Sequence, residues 1–234
     1  MTNEEIKTLF QLMLEYLPPT LKIFGFTLLY SIPLGMVVAL LKMCRFKPVS
    51  WLTNIYILIM RGTPLLLQLI VANYAVPYIR MSGLCPEFLR DILNQIDIKS
   101  DDYTFNMIIV AFVLNYAAYF AEIFRGGIEA IPKGQYEAAG ALGFSKLQTF
   151  FRIILPQVIK RVVPASSNEI ITLVKDTSLA SAIPYFEIMY IAKKQTQFYG
   201  SLTPLFMAGL FYFVFATVLT ILFSLIEKKL NYYK

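Results

Sequence analysis

Residues 205–226 carry no charged side chain and exceed the roughly 20 apolar residues a helix needs to cross a bilayer core. Nothing else in the sequence narrows the possible folds as far. Four more segments are of similar length and largely apolar, at about 21–43, 52–78, 103–124 and 153–174. The second is interrupted by Arg61-Gly62-Thr63-Pro64, and 153–174 is unusually polar. Only 15% of the 234 residues are charged and 57% are hydrophobic, too apolar a balance for an ordinary soluble domain of this length. The expected fold is an all-α membrane protein of five transmembrane helices. Ahead of them, Ile6, Leu9, Phe10, Met13, Leu14 and Leu17 recur at helical spacing. They imply an N-terminal amphipathic helix over 1–18, lying at the interface and ended by Pro18-Pro19. Residues 19–234 then form a single transmembrane domain.

Several function classes drop out. The chain has no histidine, which argues against a His-ligated metal or a His general base, and two cysteines make neither a disulfide framework nor a thiolate metal site. Cys44 is expected at the cytoplasmic end of the first span and Cys85 in an outer loop, where they cannot meet. The net charge of +6 sits beside the spans rather than in a basic-aromatic stretch, so no nucleic-acid partner is expected. Acidic Glu4 and Glu5 with no cleavage site give no sign of a secretory signal. Twelve Lys and Arg residues follow the first span, join the third to the fourth, or follow the fifth. Seven lie on the other side, where Glu87, Asp91, Asp97, Asp101 and Asp102 also gather in the 80–102 loop. The richer side is the cytoplasmic one, which puts the N-terminus outside and the C-terminus inside. Five spans leave no room for an inverted repeat, so a transport path would form between two chains.

The longest cytoplasmic stretch, 126–150, has its own punctuation. Pro132 and Gly134 should break the helix arriving from span three. Residues 135–142 can form two turns around Ala138, Ala139 and Ala141. Gly143 permits a sharp reversal, and Ser145 and Gln148 have capping-box spacing for the next helix. The result is a short helix across the cytoplasmic face that presents Glu137 and a smooth alanine surface. Spacing alone also allows a plain re-entrant turn. The segment resembles the signature of ABC-importer permeases: Glu-Ala-Ala, three residues, Gly, nine residues, Ile, one residue, Leu-Pro. Glu137, Ala138, Ala139, Gly143, Ile153, Leu155 and Pro156 match it without departure.

Residues 121–135, 61–68 and 173–181 further resemble the polar amino-acid branch of that family. The resemblance implies that Glu137 contacts a separate ATPase dimer, which binds ATP and Mg, and that Gly143 allows the reversal. It also implies a second permease chain, identical or similar, an extracytoplasmic solute-binding protein, and an amino acid as substrate. The chain has no phosphate loop of its own, and no cofactor of its own is expected.

Ionisable residues inside spans cost about 2.5–3.5 kcal/mol each and need a partner or a watery cavity. Arg61, Gln68, Ala72 and Ala75 are expected on one face of span two. Asn115, Ala118, Glu122 and Arg125 share a face of span three. Glu169, Thr172 and Asp176 share one of span four, with Asn168 beside it. Three such stripes suggest a lined path. For Gln68 and Asn115, helix-to-helix bonding worth about 0.6 kcal/mol is an equal alternative. Glu169 suits a substrate ammonium group. Glu122 can pair with Arg125 one turn on. Arg61 suits either an ion pair or a substrate carboxylate. Pro156 and Pro164 should kink span four, with Ser166, Ser167 and Asn168 satisfying the freed carbonyls. The tyrosines and Trp51 read as interface anchors.

Overall fold

The computed structural model describes residues 2–82, 86–98 and 100–230; Cys85, Lys99 and Lys234, used above, lie outside them. The described residues are helical throughout, with no strand. Thr2 and Glu5 form a capping box that starts α1 (Asn3–Glu15). Pro18 and Pro19 do not end this helix; they occupy the first turn of α2 (Leu17–Lys42). There a missing N–H costs nothing and the fixed φ favours helix. Leu9 and Met13 are buried against Ile188, Ala192 and Ala208, so α1 is packed on the protein as well as amphipathic.

The second span is a bent pair, α3 (Lys47–Gly62) and α4 (Leu65–Met81), meeting at 107°. Arg61 and Gln68 therefore sit on different helices, and the single face expected for them does not exist. A short α5 (Glu87–Asn94) leads to α6 (Asp101–Glu129), capped by the Ser100 hydroxyl accepting from the Tyr103 N–H. After α6 come α7 (Lys133–Ala141), α8 (Lys146–Thr149), a π turn at Phe150–Ile154 and α9 (Leu155–Asp176). A 3₁₀ turn at Thr177–Ala182, α10 (Ile188–Tyr199) and α11 (Thr203–Leu230) complete the chain.

By length and apolarity α2, α6 and α11 can cross a membrane, and the bent α3–α4 pair makes a fourth candidate. The 22-residue α9 is the expected fourth span and is too polar to qualify on composition. Helix α6 is the axis of the core. Phe112, Tyr116, Phe120 and Phe124 recur every four residues along it and stack at centroid distances of 6.0–6.4 Å. On α2, Gly35 packs closely against the backbone of Ala117 and Ala121 and the Cβ of Phe120 on α6. Tyr116 and Tyr103 are only 2% and 5% exposed, so these tyrosines are core residues rather than anchors. Trp51 is well exposed.

Candidate transport path and coupling helix

Pro64 has no N–H, so the Met60 carbonyl four residues earlier loses its helical donor. Two side-chain amides replace it. Gln68 Nε2 donates to Met60 O at 3.0 Å and to Thr63 Oγ1 at 2.8 Å. Asn115 Nδ2, from α6, donates to Met60 O at 2.9 Å and to Gln68 Oε1 at 3.1 Å. Both amides brace the helix break, an interhelical bonding role.

Glu122 collects cations from three helices. Lys42 Nζ lies at 2.5 Å, Arg125 Nη2 at 2.8 Å and Arg61 Nη1 at 3.9 Å, while Arg125 also reaches Glu129 at 2.5 Å. The expected Glu122–Arg125 pair is present; Lys42 joins it from 80 residues away, which local spacing could not reveal. Arg61 also lies over the Tyr119 ring, 5.2 Å from its centroid. A cleft of about 490 Å³ opens beside this cluster, lined by Lys42, Asn54, Ile57, Leu58, Arg61, Gly62 and Glu122.

On α9, Glu169, Thr172 and Asp176 are all half-buried and Asn168 is exposed. Neither Glu169 nor Asp176 forms an ion pair among the described residues. Asp176 Oδ2 instead accepts from the Tyr116 hydroxyl at 2.7 Å. Tyr116 escaped the sequence reading, although it adjoins Asn115. Helix α9 runs on through Pro164. The expected rescue of freed carbonyls is not what the serines do: Ser167 donates to Val163 O at 2.8 Å, and the buried Ser166 hydroxyl has no partner among the described residues.

In the loop segment, Pro132 is the N-cap of α7 and Gly134 lies inside the helix rather than breaking it. Early in a helix the backbone N–H groups have no partner within it, so glycine is tolerated. Glu137 and Ala138 are exposed, but Ala139 is 1% exposed and turns inward, so the alanine surface is not continuous. Gly143, at φ +76°, closes α7 in a Schellman motif. Phe144 N donates to Ala139 O and Gly143 N to Gly140 O, each at 3.0 Å. The expected capping box follows: Ser145 N donates to Gln148 Oε1 at 2.9 Å, and Gln148 N to Ser145 Oγ at 3.3 Å. Pro156 lies in the first turn of α9, directly after the π turn, rather than in the middle of a helix.

Glu187 was not legible in the sequence. It has no exposed surface and caps α10, accepting from Met189 N at 2.9 Å and Tyr190 N at 2.6 Å. Tyr212 of α11 adds a third bond at 2.9 Å. Burial pushes this carboxyl above its ordinary value, partly countered by those bonds. No group of His, Cys, Asp and Glu able to hold a metal occurs among the described residues.

A family described as binding-protein-dependent transport system inner membrane component matches residues 31–232. The chain is 38% identical to the arginine transport system permease protein ArtQ of Bacillus subtilis (strain 168) over 222 residues, 94% of this chain and 92% of that one. It is 38% identical over 206 residues to the octopine transport system permease protein OccM of Rhizobium radiobacter, covering 85% and 79% respectively. A crystal structure of an amino acid ABC transporter with histidines superposes with TM-score 0.76 and 29% identity, over 96% of this chain and 95% of its counterpart.

Proposed function

Because the chain belongs to the family of binding-protein-dependent transport system inner membrane components, we propose that its residues 19–234 form one half of an amino-acid path, driven from the cytoplasmic side. It is a permease subunit, not an enzyme, and its relatives are permeases of amino-acid importers. The observation that carries the reading is α7, a short helix closed by Gly143, with Ala139 turned in and Glu137 turned out. Glu137, Ala138, Ala139 and Gly143 seat it in a cleft of a separate ATPase dimer that binds ATP and Mg. Leu155 and Pro156 transmit its motion into α9. ATP favours the outward-open assembly because it binds that state better.

The path runs between this chain and a second permease chain, identical or similar, with α9 as the polar wall. This is why a helix too polar for lipid serves as span four. Glu169 and Asp176 have no cation of their own among the described residues and hold the ammonium group of the amino acid, with Asn168 and Thr172 beside them. Arg61 faces the carboxylate end, while Gln68, Asn115 and Glu122 hold the wall in shape. An extracytoplasmic binding protein delivers the substrate to a bacterial cell membrane in which the N-terminus lies outside and the C-terminus inside.

The test is substrate-stimulated ATP hydrolysis in lipid nanodiscs holding this chain, its ATPase and its binding protein. Glu137→Lys is expected to abolish stimulation while insertion into the membrane is unchanged. Glu169→Gln is expected to raise the half-saturating amino-acid concentration about tenfold or more, the loss of a charged contact worth about 1.5–3 kcal/mol. Normal stimulation in the first variant overturns the coupling role. Unchanged saturation in the second overturns the ammonium site.

A further inference from the structure

Helix α5 is split cleanly by side-chain chemistry. At 100° per residue, Phe88, Ile92 and Leu93 fall on one side, while Glu87, Arg90, Asp91 and Asn94 fall on the other. Leu93 is partly buried against the protein, but Phe88 and Ile92 are 70% and 56% exposed. They stand one turn apart and form an open apolar edge on an otherwise polar connection.

The helix is also held in one place. Arg80, in the last turn of α4, donates through Nη2 to Leu93 O and Ile96 O, pinning the carboxyl end of α5 to the end of the span. The exposed apolar surface of α4 continues up to that point, with Tyr78 73% and Met81 86% exposed. A few residues further on begins α6, which is long and apolar enough to cross a membrane. Both neighbours of α5 are thus span ends on the same side of the membrane.

We propose that α5 lies in the bilayer surface, with Phe88 and Ile92 inserted among the upper acyl chains and Glu87 and Asp91 turned to water. The apolar edge is continuous with the lipid-facing surface of α4, and Arg80 keeps it at that depth. The helix anchors the connection between α4 and α6 and so fixes the outer end of the bent span.

The test uses the full chain with its ATPase in phosphatidylcholine nanodiscs, with Trp51→Phe removing the native indole and Phe88→Trp placing a new one. Bromines near the headgroup end of the acyl chains should cause loss of emission relative to unbrominated lipid, with a blue-shifted maximum. Adding Arg80→Gln should reduce the quenching. A water-like maximum insensitive to bromine overturns the proposal. So does a blue shift that appears only when the external binding protein is added, which would make the edge a protein-docking surface.

Discussion

Glu187 shows what a single side chain contributes when its partners come from elsewhere in the chain. Its two oxygens take three bonds that join α10 to α11, and the adjacent Ile188 N donates to Thr20 Oγ1 of α2 at 3.3 Å. In sequence it is one acid between Phe186 and Ile188 in a largely apolar connection, and that setting is the only local sign of its burial. Because burial raises its folded-state pKa above the unfolded value, the folded protein holds this proton more tightly. Its contribution to stability is fully present below the unfolded pKa and is lost as pH rises through the folded pKa. Lowering the pH from neutrality is therefore expected to stabilise the wild type relative to Glu187→Gln, which has no proton to gain there. Thermal unfolding of both proteins across that pH range measures the difference; a constant gap would show that Glu187 does not titrate in this way. Gln68 and Asn115 carry a related lesson. From sequence they are equally glue and ligand; in the structure both amides bond the Met60 carbonyl that the missing N–H of Pro64 leaves to be satisfied.

At the scale of elements, close contact between α2 and α6 rests on Gly35. A Cβ there would lie 2.7 Å from Phe120 Cβ, 3.1 Å from Ala117 O and 3.3 Å from Ala121 N, and two of these three atoms are backbone that cannot swing aside. Gly35→Ala should therefore destabilise the folded chain by about 1–3 kcal/mol through overpacking. Gly25→Ala, on the same helix with nothing within 4 Å, should be neutral or gain up to about 1 kcal/mol from helix propensity. Unfolding titrations in mixed micelles compare the two, and equal effects would mean that the contact is not tight. The apolar runs gave α2, α6 and α11 to within a few residues, because length and hydropathy alone decide a span. The turn at Gly143 and the cap at Ser145–Gln148 were equally legible, since their bonds close within five residues. The 107° bend was not. Gly62-Thr63-Pro64 marks where the hydrogen-bond ladder fails, but the amide of Asn115, 55 residues from Met60, helps to hold the angle. Gly134 and Pro18-Pro19 misled for one shared reason: a residue that breaks a helix interior is harmless in its first turn.

At the scale of the whole molecule, the proposed coupling role requires α7 to lie on the cytoplasmic side of the membrane. Charge counting puts that side at the end of α2 and the start of α3, where Cys44 lies between Lys42 and Lys47. Cys44 is a free, exposed thiol, so orientation can be read from its reaction with a membrane-impermeant maleimide. In a Cys85→Ser chain, Cys44 is expected to label in inverted vesicles and to be protected in intact cells whose outer barrier has been removed. Asn94→Cys, introduced on the exposed polar face of α5 after both native cysteines are replaced, should show the opposite pattern. Both sites are needed, because protection of Cys44 alone could reflect burial under a partner subunit. If both labels reversed, α7 with Glu137 would face the outside, where no nucleotide-binding partner could grip it. The twelve-to-seven excess of basic residues would then have failed as a guide to the fold's polarity, and the coupling role of Glu137 would fall with it.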